Sequence, residues 1–259
     1  MHLHLPKAIH GWREFAKEVG IIVLGVLIAL GFEQVVQAWR WRHDARETRE
    51  ALTSELEYSA LWADERIAVQ KCLRDRITQL TAKLHGSGTH WDADPLVLGN
   101  PRRPVGRSLQ TSLPLAYRAP HRPWLSDEWQ TAKSSGIIDH MARSDAHNLE
   151  FVYRNVIQLD SLQTEESSLS PQLSFLSFAG TLDPQSRIQA LNTLARLDYL
   201  NAMQVQSSEQ MLSTLRSTHL ALRPISFGQH LTSFSRARDQ VMSALKERYG
   251  SCVGPPPPE

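Results

Sequence analysis

The chain has 259 residues, a length that suits one or two domains, and its 28 Lys and Arg against 27 Asp and Glu leave a formal net charge of +1. That balance gives no electrostatic case for nucleic acid as a partner. Cys72 and Cys252 are the only cysteines, which excludes a Cys-rich zinc module but leaves the two able to pair in an oxidising compartment.

Residues 1–14 read as a short tail. His2, His4 and His10 lie in it, but an unstructured tail is a better description than a metal site. Next comes Val19–Phe32, fourteen residues without a charge or a side-chain hydrogen-bonding group. Fourteen is short for a span, which needs roughly 20 residues, yet the flanks extend it. Phe15 to Val36 covers about 33 Å as a helix, close to the thickness of a bilayer's hydrocarbon core. Trp12 and Trp39 are set about 40 Å apart, where the two interfacial aromatic belts lie. Ten Val, Ile, Leu and Phe residues contribute about −3 to −6 kcal/mol to insertion. Residues 15–38 are therefore expected to form a transmembrane helix. A cleaved signal peptide ending near Ala29-Leu-Gly31 is the competing reading, and a buried soluble helix is a third.

Gly25 and Ala29 form a small-xxx-small pair, and Glu18, Glu33 and Arg40 fall in the same sector of the helix. Two readings fit that sector. It could be a face for self-association, making a homo-oligomer through the membrane helix. The plainer reading is preferred: Gly and Ala are common in membrane helices, and Glu33 snorkels or pairs with Arg40.

Between Phe32 and His85 there is neither Gly nor Pro, so a long juxtamembrane helix is expected over 39–85. Leu52, Leu56, Ala60, Ala63, Ile67, Leu73, Ile77, Leu80 and Leu84 approximate its apolar stripe. Arg46, Glu47, Arg49, Glu50, Asp64, Glu65 and Asp75 are assigned to the opposite, solvated face, with Arg46 and Glu50 at pairing distance along the helix. Gly86–Trp124 contains ten Gly or Pro residues and reads as an irregular segment, 86–125, draped over a bundle. Its arginines, from Arg102 to Arg122, could receive an anionic ligand, but a solvated loop is the preferred reading. His85, His90, Asp92 and Asp94 are a weak metal set.

Helical signals return over 126–250. Ser126 caps an acidic first turn, and Ser134-Ser135-Gly136 is a stop in which Gly136 takes positive φ. Ser144 is expected to cap the next helix, and Asp183-Pro184 to start another that runs towards Pro224. A last helix carries Leu231, Phe234, Val241 and Leu245 and closes at Gly250. Residues 251–259 form a proline-rich tail. The sum is an all-α chain: a transmembrane helix continuing into a long helix, packed with a helical bundle and carrying one long irregular insertion.

Glu18-Val-Gly-Ile-Ile-Val-Leu-Gly-Val-Leu-Ile-Ala-Leu30 resembles the membrane segment of a widespread family of uncharacterised bacterial single-pass membrane proteins. Trp129-Gln-Thr-Ala-Lys-Ser-Ser-Gly-Ile-Ile-Asp139, with Tyr153 beyond it, resembles a second block of that family. This chain departs after Leu30, where Gly31-Phe-Glu-Gln34 stands in place of an Asn-rich, Trp-containing exit. The resemblance implies a plasma (inner) membrane protein with an extracytoplasmic C-terminal domain. It brings no activity and no catalytic residue.

No phosphate-binding loop, dinucleotide fingerprint, His-Glu-x-x-His or Gly-x-Ser-x-Gly is present. No Asp or Glu has a His three residues later, which disfavours a di-iron bundle. Glu165 and Glu166 are adjacent and point to different sides of a helix, and the histidines are scattered. No catalytic, cofactor-binding or metal residue is assigned. The expected function is a membrane-anchored, non-enzymatic interaction or sensory module, its partners being the lipid bilayer and an envelope protein or ligand. The alternatives are a structural subunit of a membrane assembly and an envelope enzyme with an unrecognised site.

Overall fold

Nothing in the backbone from Phe32 to His85 interrupts a helix that begins in the apolar run. In the computed structural model, which describes residues 11–96, 114–217, 225–227 and 230–255, α1 runs unbroken from Trp12 to Gly86. Its 75 residues rise about 110 Å. From Phe15 to Arg40 every residue whose side chain is described is exposed, including Ile21, Ile22, Leu24, Leu27 and Phe32. This apolar half is long enough to cross a membrane. Burial begins at Trp41 and is complete by Leu52.

The second half of α1 is the centre of a helical bundle. The expected stripe is its buried face, with Ile67 half-buried. Helices α2 (Asp127–Ser134), α3 (Arg143–Leu169), α4 (Pro184–Ser217) and α5 (Phe234–Tyr249) follow. α4 lies against both α1 and α3, and α5 against α1. The all-α class stands. Strands are confined to two short antiparallel ribbons. β1 (His90–Trp91) pairs with β2 (Gly180–Thr181), and β3 (Ile225–Phe227) with β4 (His230–Thr232), among the described residues. Leu231 belongs to β4 rather than to the last helix.

Local chemistry sets the helix ends. Gly136 stops α2 at φ 73° and Gly250 ends α5 at φ 79°, the left-handed region open to glycine. Asp183 accepts the Ser186 N–H (2.9 Å) at the start of α4, and Ser233 accepts the Arg236 N–H (3.3 Å) at the start of α5. α3 begins at Arg143 with Ala142 in the cap position, so the cap expected at Ser144 is displaced by two residues, within the fraying common at helix ends. The Arg187 guanidinium donates to the Leu84 and Gly88 carbonyls, placing a cation on the last turn of α1.

The end of the irregular segment differs most from expectation. Rather than lying in solvent, residues 114–125 form a strap with Ala116, Tyr117 and Trp124 buried. An extended chain in a core must find partners for its backbone. Arg76 Nε donates to the Ala116 carbonyl (2.8 Å) and Ser170 Oγ to that of Tyr117 (2.8 Å). Gln163 takes both sides of Arg122, accepting its N–H (2.8 Å) and donating to its carbonyl (2.7 Å). Arg102, Arg103 and Arg107 lie outside the described residues.

Cys72 on α1 and Cys252 beyond α5 form a disulfide across a sequence separation of 180. Gly254 N–H then donates to the Ala68 carbonyl (2.8 Å), so the start of the proline-rich tail is docked on α1. Cross-linking a long loop narrows the unfolded ensemble. Replacing both cysteines by serine is expected to cost about 2–5 kcal/mol of stability. The denaturant midpoint of the full chain in detergent measures it, and an unmoved midpoint would mean that the bridge is not formed in solution.

Candidate functional site

Charged side chains gather in two buried clusters within the bundle and around a cavity where the bundle meets the apolar half of α1.

The buried charges start from three consecutive residues, Asp64, Glu65 and Arg66, all within 3% exposure. Successive residues on a helix point about 100° apart, so the three face different neighbours. Asp64 pairs with Arg238 of α5 (2.7 Å). Glu65 takes Arg122 of the strap through both oxygens (2.6 and 2.9 Å), and that guanidinium lies over the Trp62 ring. Arg66 makes a two-pronged bond to Glu166 of α3 (2.9 and 2.9 Å) and a third to Asn201 of α4 (3.1 Å). Their assignment to a solvated face of α1 is thus overturned for Asp64 and Glu65. That face is not solvent but the contact with α5 and the strap.

Glu166 also accepts from Tyr117 (3.0 Å) and Gln204 (3.2 Å), which fills its acceptor capacity. Burial works against the Arg66 charge, yet Glu166 more than offsets it and holds the guanidinium above its ordinary value. Burial and the Glu166 anion push the Tyr117 hydroxyl well up, so it remains a donor. Neighbouring Glu165 points the other way and meets Arg196 at the surface (2.6 Å). The two carboxylates are divided between core and surface, as expected. A saturated carboxylate has nothing left for a substrate, so this network is structural.

A second structural cluster holds Asp94. Arg76 and Lys83 of α1 donate to its carboxylate (2.9 and 2.7 Å), and Lys83 lies over Trp91. Burial opposes the Asp94 charge, but the hydrogen bonds and charges of Lys83 and Arg76 prevail and hold its carboxyl below the usual range. Asp94 is thus held against α1 by two cations. His90 and Asp92 are exposed and pair with each other (3.4 Å). Among the described residues no group of three or more His, Cys, Asp or Glu is placed to hold a metal ion.

The cavity, of 310 Å³, lies at the root of the apolar half of α1. Arg42, Arg46 and Arg49 line it from α1, and His140, Met141 and Asp145 face them from the α2–α3 connection and the first turn of α3. Spacing of four and then three residues puts the three arginines on one face of the helix. The His140 ring stacks on Trp41 (centroids 4.0 Å apart), which fixes that wall. Asp145 is taken by Arg49 (2.9 Å), and Glu47 of α1 is turned to His43 (3.3 Å). Arg46 thus borders the cavity instead of pairing along the helix with Glu50.

Glu18, Gly25, Ala29 and Glu33 remain together on an exposed face of α1, with no other element against them among the described residues. A side chain built at Gly25 would meet open space. Glu33 accepts from Gln37 (3.5 Å).

Sequence reasoning placed Arg46 and Arg49 on a solvated face of the helix, assigned Arg42 to no site and treated the histidines as scattered. The helical spacing of the arginines was the available signal, whereas the approach of His140 is a tertiary event. Comparison of the chain with family models, with curated proteins and with solved structures found no match.

The adjacent glutamates give a paired test. Glu166→Gln strands the Arg66 charge in the core and is expected to cost about 3–5 kcal/mol. Glu165→Gln is expected to leave the denaturant midpoint unmoved. Asp94 gives a test by pH. Its folded carboxyl is depressed, so its stabilisation is present above the unfolded value of about 3.9 and is lost as pH falls through the lower folded value. The stability difference between wild type and Asp94→Asn should be constant from neutrality to about pH 5 and shrink below about pH 4.

Proposed function

We propose that this protein is a membrane-anchored, non-enzymatic interaction module of the bacterial envelope. The observation that carries the reading is the state of α1. Its apolar half is fully exposed, yet it continues without a break into the helix at the centre of the bundle. An exposed apolar surface of that extent does not persist in water and fits lipid. A cleaved leader fits the same length and composition, and the length of the recovered chain separates the two readings.

The Cys72–Cys252 disulfide supports an oxidising location for the bundle, hence an extracytoplasmic C-terminal domain. The resemblance of Glu18–Leu30 and Trp129–Asp139 to bacterial single-pass proteins points to the inner membrane. The span holds the bundle at the membrane surface, where it meets a ligand or an envelope partner. A second reading, a structural subunit of a membrane assembly, is favoured by Phe175, Phe178, Ile188 and Tyr199, which stay exposed on the bundle.

Membrane fractionation tests the anchor. The full-length chain is expected in the membrane pellet after alkaline carbonate washing, unshortened and with its two thiols blocked to alkylation until reduced. Leu24→Arg with Leu27→Arg costs about 5–7 kcal/mol at the bilayer centre, which offsets the whole gain of the apolar run. That variant should leave the membrane. Recovery of wild type in the soluble fraction would end the reading, and reactive thiols would end its orientation.

A further inference from the structure

We infer that the cavity at the root of the apolar half of α1 binds a phosphate group, carried by an anionic phospholipid headgroup or by a soluble phosphorylated molecule. The lipid source rests on the membrane reading above; the phosphate chemistry does not.

Charge comes first. Three arginines, Arg42, Arg46 and Arg49, line one cavity, and Asp145, the carboxylate in its wall, is taken by Arg49. Among the described residues no carboxylate pairs with Arg42 or Arg46. Guanidinium is planar and donates two parallel hydrogen bonds, the geometry that phosphate oxygens accept. His140 also lines the cavity, from the α2–α3 connection, with its ring held by the stack on Trp41. The site is therefore built from two elements rather than from a row of surface cations.

Shape and depth agree. Met141 and Leu149 give the cavity an apolar side on which a glycerol or acyl segment can rest. If hydrocarbon ends near residue 38, Arg42 stands about 6 Å and Arg46 about 12 Å beyond it. The headgroup layer of one leaflet is about 5–8 Å thick, so Arg42 lies within it and the long side chain of Arg46 reaches down to it. A phosphodiester of the outer headgroup layer would thus face the cavity mouth without the bundle having to move.

The test uses the full chain in a neutral detergent, titrated calorimetrically with three probes. These are six-carbon phosphatidylglycerol below its micelle threshold, six-carbon phosphatidylcholine, and inorganic phosphate. Wild type is expected to bind phosphatidylglycerol at least tenfold more tightly than phosphatidylcholine. Arg42→Gln with Arg46→Gln should weaken that binding at least tenfold, with helicity and the disulfide unchanged. Arg42→Lys with Arg46→Lys, which keeps charge but loses the fork, should fall between. Phosphatidylglycerol bound and not displaced by inorganic phosphate identifies the lipid source. Inorganic phosphate bound as tightly as the lipid identifies a soluble one. Binding of no probe, or binding unaltered in both double variants, overturns the inference. Because the titration is done in detergent, a chain that proved soluble on fractionation could still bind phosphate, and the two failures stay separable.

Discussion

A charge inside a helical core must be surrounded by partners, and α1 carries three such charges in a row. Moving an ion out of water costs several kcal/mol even after the protein relaxes, and an ion pair recovers this only with good geometry and additional hydrogen bonds. Arg66 and Glu166 largely meet that condition: Tyr117, Asn201 and Gln204 add hydrogen bonds to the pair, and Arg66 Nε is left without a partner among the described residues. The rest of the bundle follows from satisfying them. α3 is held by Glu166, α4 by Asn201 and Gln204, the strap by Tyr117 and Arg122, and α5 by Arg238.

Apolar residues of equal volume could give as much net stability at such positions. They would not fix register. The leucines of α1 recur along its length, so a helix sliding by one turn would still find apolar neighbours. It would, however, leave Arg66 opposite no carboxylate, which is the costly outcome. The network therefore selects one alignment among several that hydrophobic packing tolerates. The bridge from Cys72 and the docking of Gly254 on Ala68 secure the same stretch of α1 from its C-terminal side.

This division explains what was legible in the sequence. Helix existence and the buried stripe from Leu52 to Leu84 follow from spacing and from the lack of Gly and Pro, both local properties. Gly136, Asp183 and Gly250 marked helix ends because their conformational preferences are local too. Asp64 and Glu65 were misplaced because a charged residue reads as solvated until its partner is known, and their partners lie 174 and 57 residues away. The strap was misplaced for the same reason: proline-rich sequence signals irregular backbone, but its burial depends on Gln163, Ser170 and Arg76, which no local pattern connects to it. Half of the candidate cavity, three arginines at helical spacing, was present in the sequence but was not read as a site. The other half, His140 and Asp145, arrives only once α2 and α3 fold back against α1.

The unbroken passage of α1 from its exposed apolar half into the bundle has a mechanical consequence. A flexible linker between an anchor and a bundle would let the bundle tumble, and the cavity would face lipid only part of the time. A continuous helix with no glycine or proline between Phe32 and His85 transmits tilt and rotation directly. On the proposed reading, the helical phase of α1 sets which side of the bundle faces the headgroups. It does so for Arg42 and Arg46 because they lie only one or two turns past the apolar run. A ligand bridging these arginines and His140 would tie the α2–α3 connection to α1 just past its apolar half.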